Sequence, residues 1–527
     1  MKAADSRFLG SGSFAASARN DKMGNVQGVD VTENEVQKEQ ALPDGWVWTT
    51  LGEVTEPSSE KANPKEIHRT HYIGLEHIDS GTGKLLGSGS SDEVRSTKAV
   101  FHRGDLLYGK LRPYLNKVHV VDFDGVCSTD ILVFPDNPNI SNRFLFYRLL
   151  SGDFVRYANL NVSGVQHPRT HFSILSQFPL ALSPLPEQRR IVAEIETQFT
   201  RLDAGVAALE RARANLKRYR AAVLKAACEG RLVPTEAALA RADGRAYEPA
   251  GQLLARILAE RRAHWQAAHP GKRYVEPAAP ETGILPELPE GWCWAILDQC
   301  FKVERGRFAF RPRNEPRFYY GPYPFVQIGD LPRDGGNITG FQQTLNENGL
   351  EISKWFPKGT VLIAIVGATI GNTGILTFDS CCPDSLVAIQ ADAEVRLRYV
   401  EFFLRSKKLE IRQSSYASGG QPNINLRTLL PYPFPLPPFA EQYRIVAEVE
   451  RRLSVVAALE REVEAALARA ARLRQSILKR AFEGRLVLQD PGDEPVSALL
   501  ERIRAAREAP ATGGKKRRTR QMPLPMM

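Results

Sequence analysis

The chain has 527 residues, enough for several domains each with its own core, and it carries an excess of ten positive charges with a pI near 9.2. That excess favours an acidic partner, although charge alone does not separate nucleic acid from a membrane surface. No stretch approaches the ~18 apolar residues of a spanning helix, and the first residues lack a basic segment followed by an apolar one, so neither a membrane span nor a secretory signal is read and the expected compartment is the cytoplasm. Six cysteines (Cys127, Cys228, Cys293, Cys300, Cys381 and Cys382) include no CxxC pair and read as free thiols, mostly buried.

Residues 1–41 are rich in Ser, Asn, Asp and Gly and read as a disordered extension. The motif LPDGWVWTTL at 42–51 then opens a globular segment, 42–183. In it, short β-branched and aromatic runs (72–75, 105–108, 117–121) alternate with turns, and aromatic residues fall at helical spacing over 142–157. Residues 184–233 form a long helix, and 234–287 hold a short helix led by Glu248-Pro249 and then a proline-rich linker. The order then repeats: LPEGWCWAIL at 288–297 opens a second globular segment, 288–437, with a strand over 359–366 and a helical patch over 397–412. A second long helix occupies 438–487, followed over 488–527 by a short helix led by Glu494-Pro495 and a basic tail, 515–520. Such self-similarity outranks any single motif.

Each long helix is preceded by proline (Pro184 and Pro186; Pro437 and Pro438) and followed by glycine (Gly230; Gly484), with helix formers between, which predicts about 43 residues or roughly 64 Å at 1.5 Å per residue. The two copies open EQRRIVAEIE and EQYRIVAEVE and close LKAACEGRLV and LKRAFEGRLV at one common length. Apolar residues recur three or four apart at Ile195, Phe199, Leu202, Val206, Leu209, Leu216 and Val223, with a gap at Arg213. In the second copy they recur at Val449, Leu453, Val456, Val463, Leu467 and Ile477, broken by Glu460 and Arg474. So narrow a seam suits one long partner helix, and equal length points to mutual pairing. The expected fold class is α+β: two globular domains separated by two long antiparallel helices that form a coiled-coil spacer.

No complete catalytic constellation is present. Residues 104–110 have the spacing of a phosphate-binding loop, but Leu111 replaces the hydroxyl that would hold magnesium and Pro113 disrupts the helix start that would carry the phosphate. Leu436-Pro437-Pro438-Phe439 has leucine where an amino-methyltransferase needs a polar acceptor. His167 and His171 are a single pair, too few for a metal. What recurs instead is cations among aromatic residues and turn glycines. Lys110, Arg112, Tyr114 and Lys117 lie within one such stretch, and Arg305 and Arg307 open another. Gln166 and Arg169 lie in an SGVQHPR loop whose counterpart, SGGQPN, holds Gln421 and Asn423. Cations neutralise phosphates, while Arg, Asn and Gln read base edges. Two copies at fixed separation are what a reader of two DNA half-sites needs.

Together, LPxGWxWxxL, the EQxRIVAxxE opening, the LKxAxEGRLV close, the EPxxxLLxRI sequel and the SGxQ loops resemble the specificity subunit of type I restriction-modification enzymes over about residues 42–508. The resemblance implies two target recognition domains, each reading one half of a split, asymmetric site in double-stranded DNA. It further implies helices that dock partner subunits, namely two modification (methyltransferase) subunits and the restriction (ATP-dependent) subunits. Such a chain has no active site and binds no cofactor of its own; S-adenosylmethionine, ATP and Mg2+ are expected in the partners. By the same resemblance LRPYLNK (111–117) and GATIGN (367–372, with Thr369 and Asn372) match recurrent family motifs. The alternative from another class is a non-catalytic elongated scaffold binding acidic proteins or RNA.

Overall fold

Two helices of equal length, Leu185–Cys228 and Phe439–Phe482, 44 residues each, are the longest elements of the computed structural model, which describes residues 41–63, 71–164, 166–414 and 424–508. Both end in the same way. Gly230 and Gly484 take left-handed backbone (φ 66° and 68°), and Arg231 N and Arg485 N reach back to Ala226 O (2.9 Å) and Arg480 O (2.8 Å), closing a six-residue cap that uses up orphan carbonyls. Glycine is required there twice over, because a Cβ would also collide with Pro289 at Gly230 and with Pro43 at Gly484.

The chain forms two compact units, one of residues up to 202 together with 471 onward, the other of residues 203–470. In the first unit Arg190 pairs with Asp493 (2.6 Å) and, further along, Arg474 lies 4.1 Å over the Phe199 ring. In the second, Arg220 pairs with Glu460 (2.5 Å) and Arg444 with Glu236 (2.6 Å). Partner numbers fall as helix numbers rise, so within each unit the segments run antiparallel. The polar interruptions of the apolar seam, Glu460 and Arg474, are themselves interhelical contacts. Val456 and Val463 are buried, while Leu202, Val206, Leu209 and Leu216 are only half-buried, as two helices without a third layer require.

Each unit also holds a globular α+β domain that begins and ends on one antiparallel strand pair, Val47–Thr50 with Pro179–Leu182 in the first and Cys293–Ile296 with Pro433–Leu436 in the second. Inside each domain the same sheets recur. Leu106–Gly109 lies between Val118–Val120 and Ile131–Phe134, as Val361–Ala364 lies between Thr373–Leu376 and Leu386–Gln390. The parallel pairing of His71–Ile73 with Gly125–Cys127 is matched by Phe325 with Cys381. Helices Asn142–Leu149 and Glu394–Ser406 pack their aromatic residues on these sheets and on the long helices, and Phe144 meets Phe482 edge to face at 5.3 Å. All six cysteines are free, and burial pushes the thiols of Cys127, Cys228 and Cys300 up to about 12, which keeps them protonated and unreactive.

The two Gly-Trp turns tie domain to helix. Trp46 Nε1 donates to Glu187 Oε2 (2.9 Å) and Trp292 Nε1 to Glu441 Oε1 (2.9 Å), in each case across the first turn of a long helix. Glu441 Oε2 also accepts from Glu236 N (2.8 Å), whereas the second oxygen of Glu187 has only a 3.4 Å contact from Gln489. Burial raises the pKa of both carboxyls more than these donors lower it, so their contribution to stability is full at acid pH and diminishes as pH rises through the raised pKa. Glu187→Gln, which can still accept from Trp46, should therefore shift unfolding at pH 7 by less than about 1 kcal/mol. Glu441→Gln must turn an amide NH2 toward one of two buried donors and should cost about 1–3 kcal/mol. Urea titrations of both variants check this, and equal costs would contradict it.

Candidate nucleic-acid interface

In the first domain the strand Leu106–Gly109 runs directly into the basic-aromatic stretch. Lys110 N donates to Asp130 O (2.9 Å), Thr170 N to Lys110 O (3.0 Å) and Arg112 N to Pro168 O (2.7 Å), while Leu111 bridges Arg169. Two segments about sixty residues apart in sequence are thereby laid side by side. Ser163 and Arg169 are joined by reciprocal backbone bonds of 2.9 Å, and Gln166, between them in sequence, is exposed. Arg112 and Tyr114 are exposed on the adjoining turn, Lys110 is half-buried, and Arg169 is held by Asp130 (3.3 Å).

Lys117 goes elsewhere. Its ammonium donates to Leu75 O (2.6 Å) and Ile78 O (2.8 Å), fastening the strand Val118–Val120 to the neighbouring 3-10 turn. A cation spent on two carbonyls has one donor left for a phosphate.

The second domain repeats the arrangement with different side chains. Ile365 N donates to Ser385 O (3.1 Å) and Ile424 N to Ile365 O (2.9 Å), so the segment after residue 423 adjoins the turn that carries Thr369 and Asn372. Thr369 Oγ1 caps Val366 O (3.1 Å), and Asn372 N closes on Thr369 O (2.9 Å). Gln421 and Asn423 lie outside the described residues. Arg305 and Arg307 flank the same sheet end, since Gly306 N bonds Leu386 O (2.9 Å). The Arg305 guanidinium donates to Asp384 O (2.5 Å) and that of Arg307 to Glu351 O (2.8 Å).

Two features escaped the sequence reading. Asp384 also pairs with Arg311 (2.9 Å) and with Arg313, so part of the arginine-rich stretch is neutralised by one carboxylate some seventy residues away, which no local pattern reveals. Beside it a cleft of about 430 Å3 is lined by Arg313, Tyr319, Tyr320, Gln327 and Gln343, with Tyr320 largely exposed at φ 66°. Among the described residues no group of three or more His, Cys, Asp or Glu could hold a metal ion, and no helix is long and apolar enough to cross a membrane.

The fold and these surfaces define a class: a tandem-duplicated α+β protein in which each half joins a domain with a polar turn at the end of its central sheet to a long helix. Residues 289–468 match the type I restriction modification DNA specificity domain. The chain is 33% identical over 233 residues to the specificity subunit of the type I restriction enzyme EcoDI of Escherichia coli, covering 42% of this chain and 50% of that one. It is 28% identical over 391 residues to the EcoBI subunit of the same species, covering 71% and 73%. It thus spans about half the length of the EcoDI relative and nearly three quarters of the EcoBI one. A chain solved in work on complex assembly and conformational transition of the type I R-M system superposes with a TM-score of 0.63 at 25% identity, over 85% of this chain and 100% of that one. Over these spans the chain is similar to the specificity subunits of type I restriction enzymes.

The contrast between the two lysines of the first turn is testable. Lys117→Met leaves two carbonyls without their donor and should lower the stability of the first domain by about 1–3 kcal/mol. Lys110→Met, whose ammonium has no partner among the described residues, should leave the unfolding midpoint unchanged. Denaturant titration followed by tryptophan fluorescence distinguishes them.

Proposed function

We propose that the chain is the sequence-recognition subunit of a type I restriction-modification complex. Each globular domain reads one half of a bipartite, asymmetric duplex site, and the two long helices set the gap between the halves. The observation that carries this reading is the duplicated backbone junction at the end of each domain's central sheet: in the first domain two adjoining turns expose arginine, tyrosine and amide side chains, and in the second the turn with Thr369 and Asn372 joins the segment from Ile424 beside Arg305 and Arg307. The net positive charge supports a polyanionic partner. The relatives give the scaffold alternative no support.

In this reading the chain performs no chemistry. Two modification subunits supply adenine methylation with S-adenosylmethionine, the restriction subunits supply ATP- and Mg2+-dependent cleavage, and all of them dock on the helical part. Phosphate contacts from arginine and lysine fix register, while side chains at the turns discriminate bases.

Selection of bound fragments from a random duplex library by the full chain with its modification subunits tests both parts. Two fixed half-sites with an unspecified gap are expected. Seven residues inserted in each long helix, after Leu209 and after Leu467, add roughly 10 Å at 1.5 Å per residue. With about 3.4 Å per base pair the gap should lengthen by about three pairs while the half-sites stay the same. A single uninterrupted site, or an unchanged gap in the insertion variant, would contradict the proposal.

A further inference from the structure

The turns of the two domains share one backbone form built from different residues. Lys110 and Ile365 occupy matching positions, each donating to the start of the neighbouring strand (Asp130 O, Ser385 O) and each accepting from the adjoining segment (Thr170 N, Ile424 N). Two residues on, the chain turns left-handed, and after three more residues it turns left-handed again; a 3-10 turn follows the first left-handed residue in the first domain (Pro113–Leu115) and starts on it in the second (Gly367–Thr369). In the second domain both left-handed residues are glycine, Gly367 (φ 67°) and Gly371 (φ 81°). In the first they are Arg112 (φ 52°) and Asn116 (φ 42°).

Glycine adopts this conformation freely, asparagine tolerates it, and a long side chain does so only under strain. Asn116 has a structural reason to be there, because its Nδ2 donates to Leu149 O (2.9 Å) in the domain core. Arg112 has none. Among the described residues its exposed guanidinium has neither hydrogen bond nor ion pair; of the other cations nearby, Lys117 is held by Leu75 O and Ile78 O and Arg169 by Asp130, while the half-buried Lys110, whose ammonium is also unpaired, lies outside the left-handed position. A strained position therefore holds a side chain the fold does not use, where the matching turn shows that glycine suffices.

Resting on the DNA-recognition reading above, we propose that Arg112 is the base-reading residue of the first domain and that it recognises guanine, its planar fork donating two hydrogen bonds to O6 and N7 in the major groove. That pairing is geometrically specific to guanine. The second domain, with Gly367 at the same place, cannot make this contact from its turn and reads its half-site by other side chains, so the two halves of the site are recognised by unlike chemistry.

The test is selection from a random duplex library by the full chain with its modification subunits, comparing wild type, Arg112→Gly and Asn116→Gly, with unfolding midpoints measured alongside. Arg112→Gly should keep its midpoint or raise it, keep the gap and the second half-site, and lose one guanine preference in the first half-site. Affinity for the wild-type site should fall about ten- to a hundredfold. Asn116→Gly should select the wild-type site. An unaltered first half-site in Arg112→Gly would overturn the proposal. So would a loss of affinity uniform across sequences with a smaller salt slope, which marks a phosphate contact, or a lowered midpoint, which would assign Arg112 to the fold. If wild type itself selects no bipartite site, the recognition reading fails first and the proposal with it.

Discussion

A buried indole N–H held by a carboxylate on the first turn of a long helix is the contact on which each half of this protein depends. Trp46 with Glu187 and Trp292 with Glu441 make it at the same 2.9 Å. Neither partner can be removed cheaply, since a buried donor or carboxylate without its mate costs more than the hydrogen bond itself contributes. The same Gly-Trp turn receives the end of the other helix. Pro43 covers Gly484, and Gly45 O accepts from Val496 N (3.4 Å). In the other unit Pro289 covers Gly230, and Gly291 O accepts from Ala250 N (2.8 Å). One turn thus serves as the starting anchor of one helix and the stop of its partner.

This explains why the copies have kept one length. Each helix is bounded by a tryptophan clamp at its start and a crowded left-handed glycine at its end, so residues cannot be added or lost at a boundary without breaking a cap or a buried bond. The domain benefits as well. Its entering strand, next to the clamp tryptophan, pairs with the strand that leaves it for the helix, as Val47–Thr50 does with Pro179–Leu182. Both chain ends of the domain are fixed at one place, and the sheet strands Leu106–Gly109 and Val361–Ala364 carry the exposed turns without any duty at that anchor.

The α+β class, the duplication and the pairing of the helices were legible because they are written in local signals that repeat: proline before, glycine after, apolar residues three or four apart between. The polar breaks at Glu460 and Arg474 read as flaws in a seam, and their partners Arg220 and Phe199 show why they are tolerated. The site was less legible. Composition singles out Lys110, Arg112, Tyr114 and Lys117 alike, but only burial and partners reveal that Lys117 is bonded to carbonyls inside its domain while Arg112 has no partner among the described residues. Nor does sequence reveal that Arg112 and Gly367 share one backbone position, because conformation persists where residue type does not. Asp384 draws three arginines to itself across a separation that no local motif spans.

The central claim is that each half presents one recognition surface to duplex DNA. A hydroxyl-radical footprint of the full chain with the proposed modification subunits on a selected duplex tests it most directly. Two protected patches separated by sugars that remain open to cleavage on at least one face are the predicted result. One continuous protected stretch, or protection of a single patch, would contradict it.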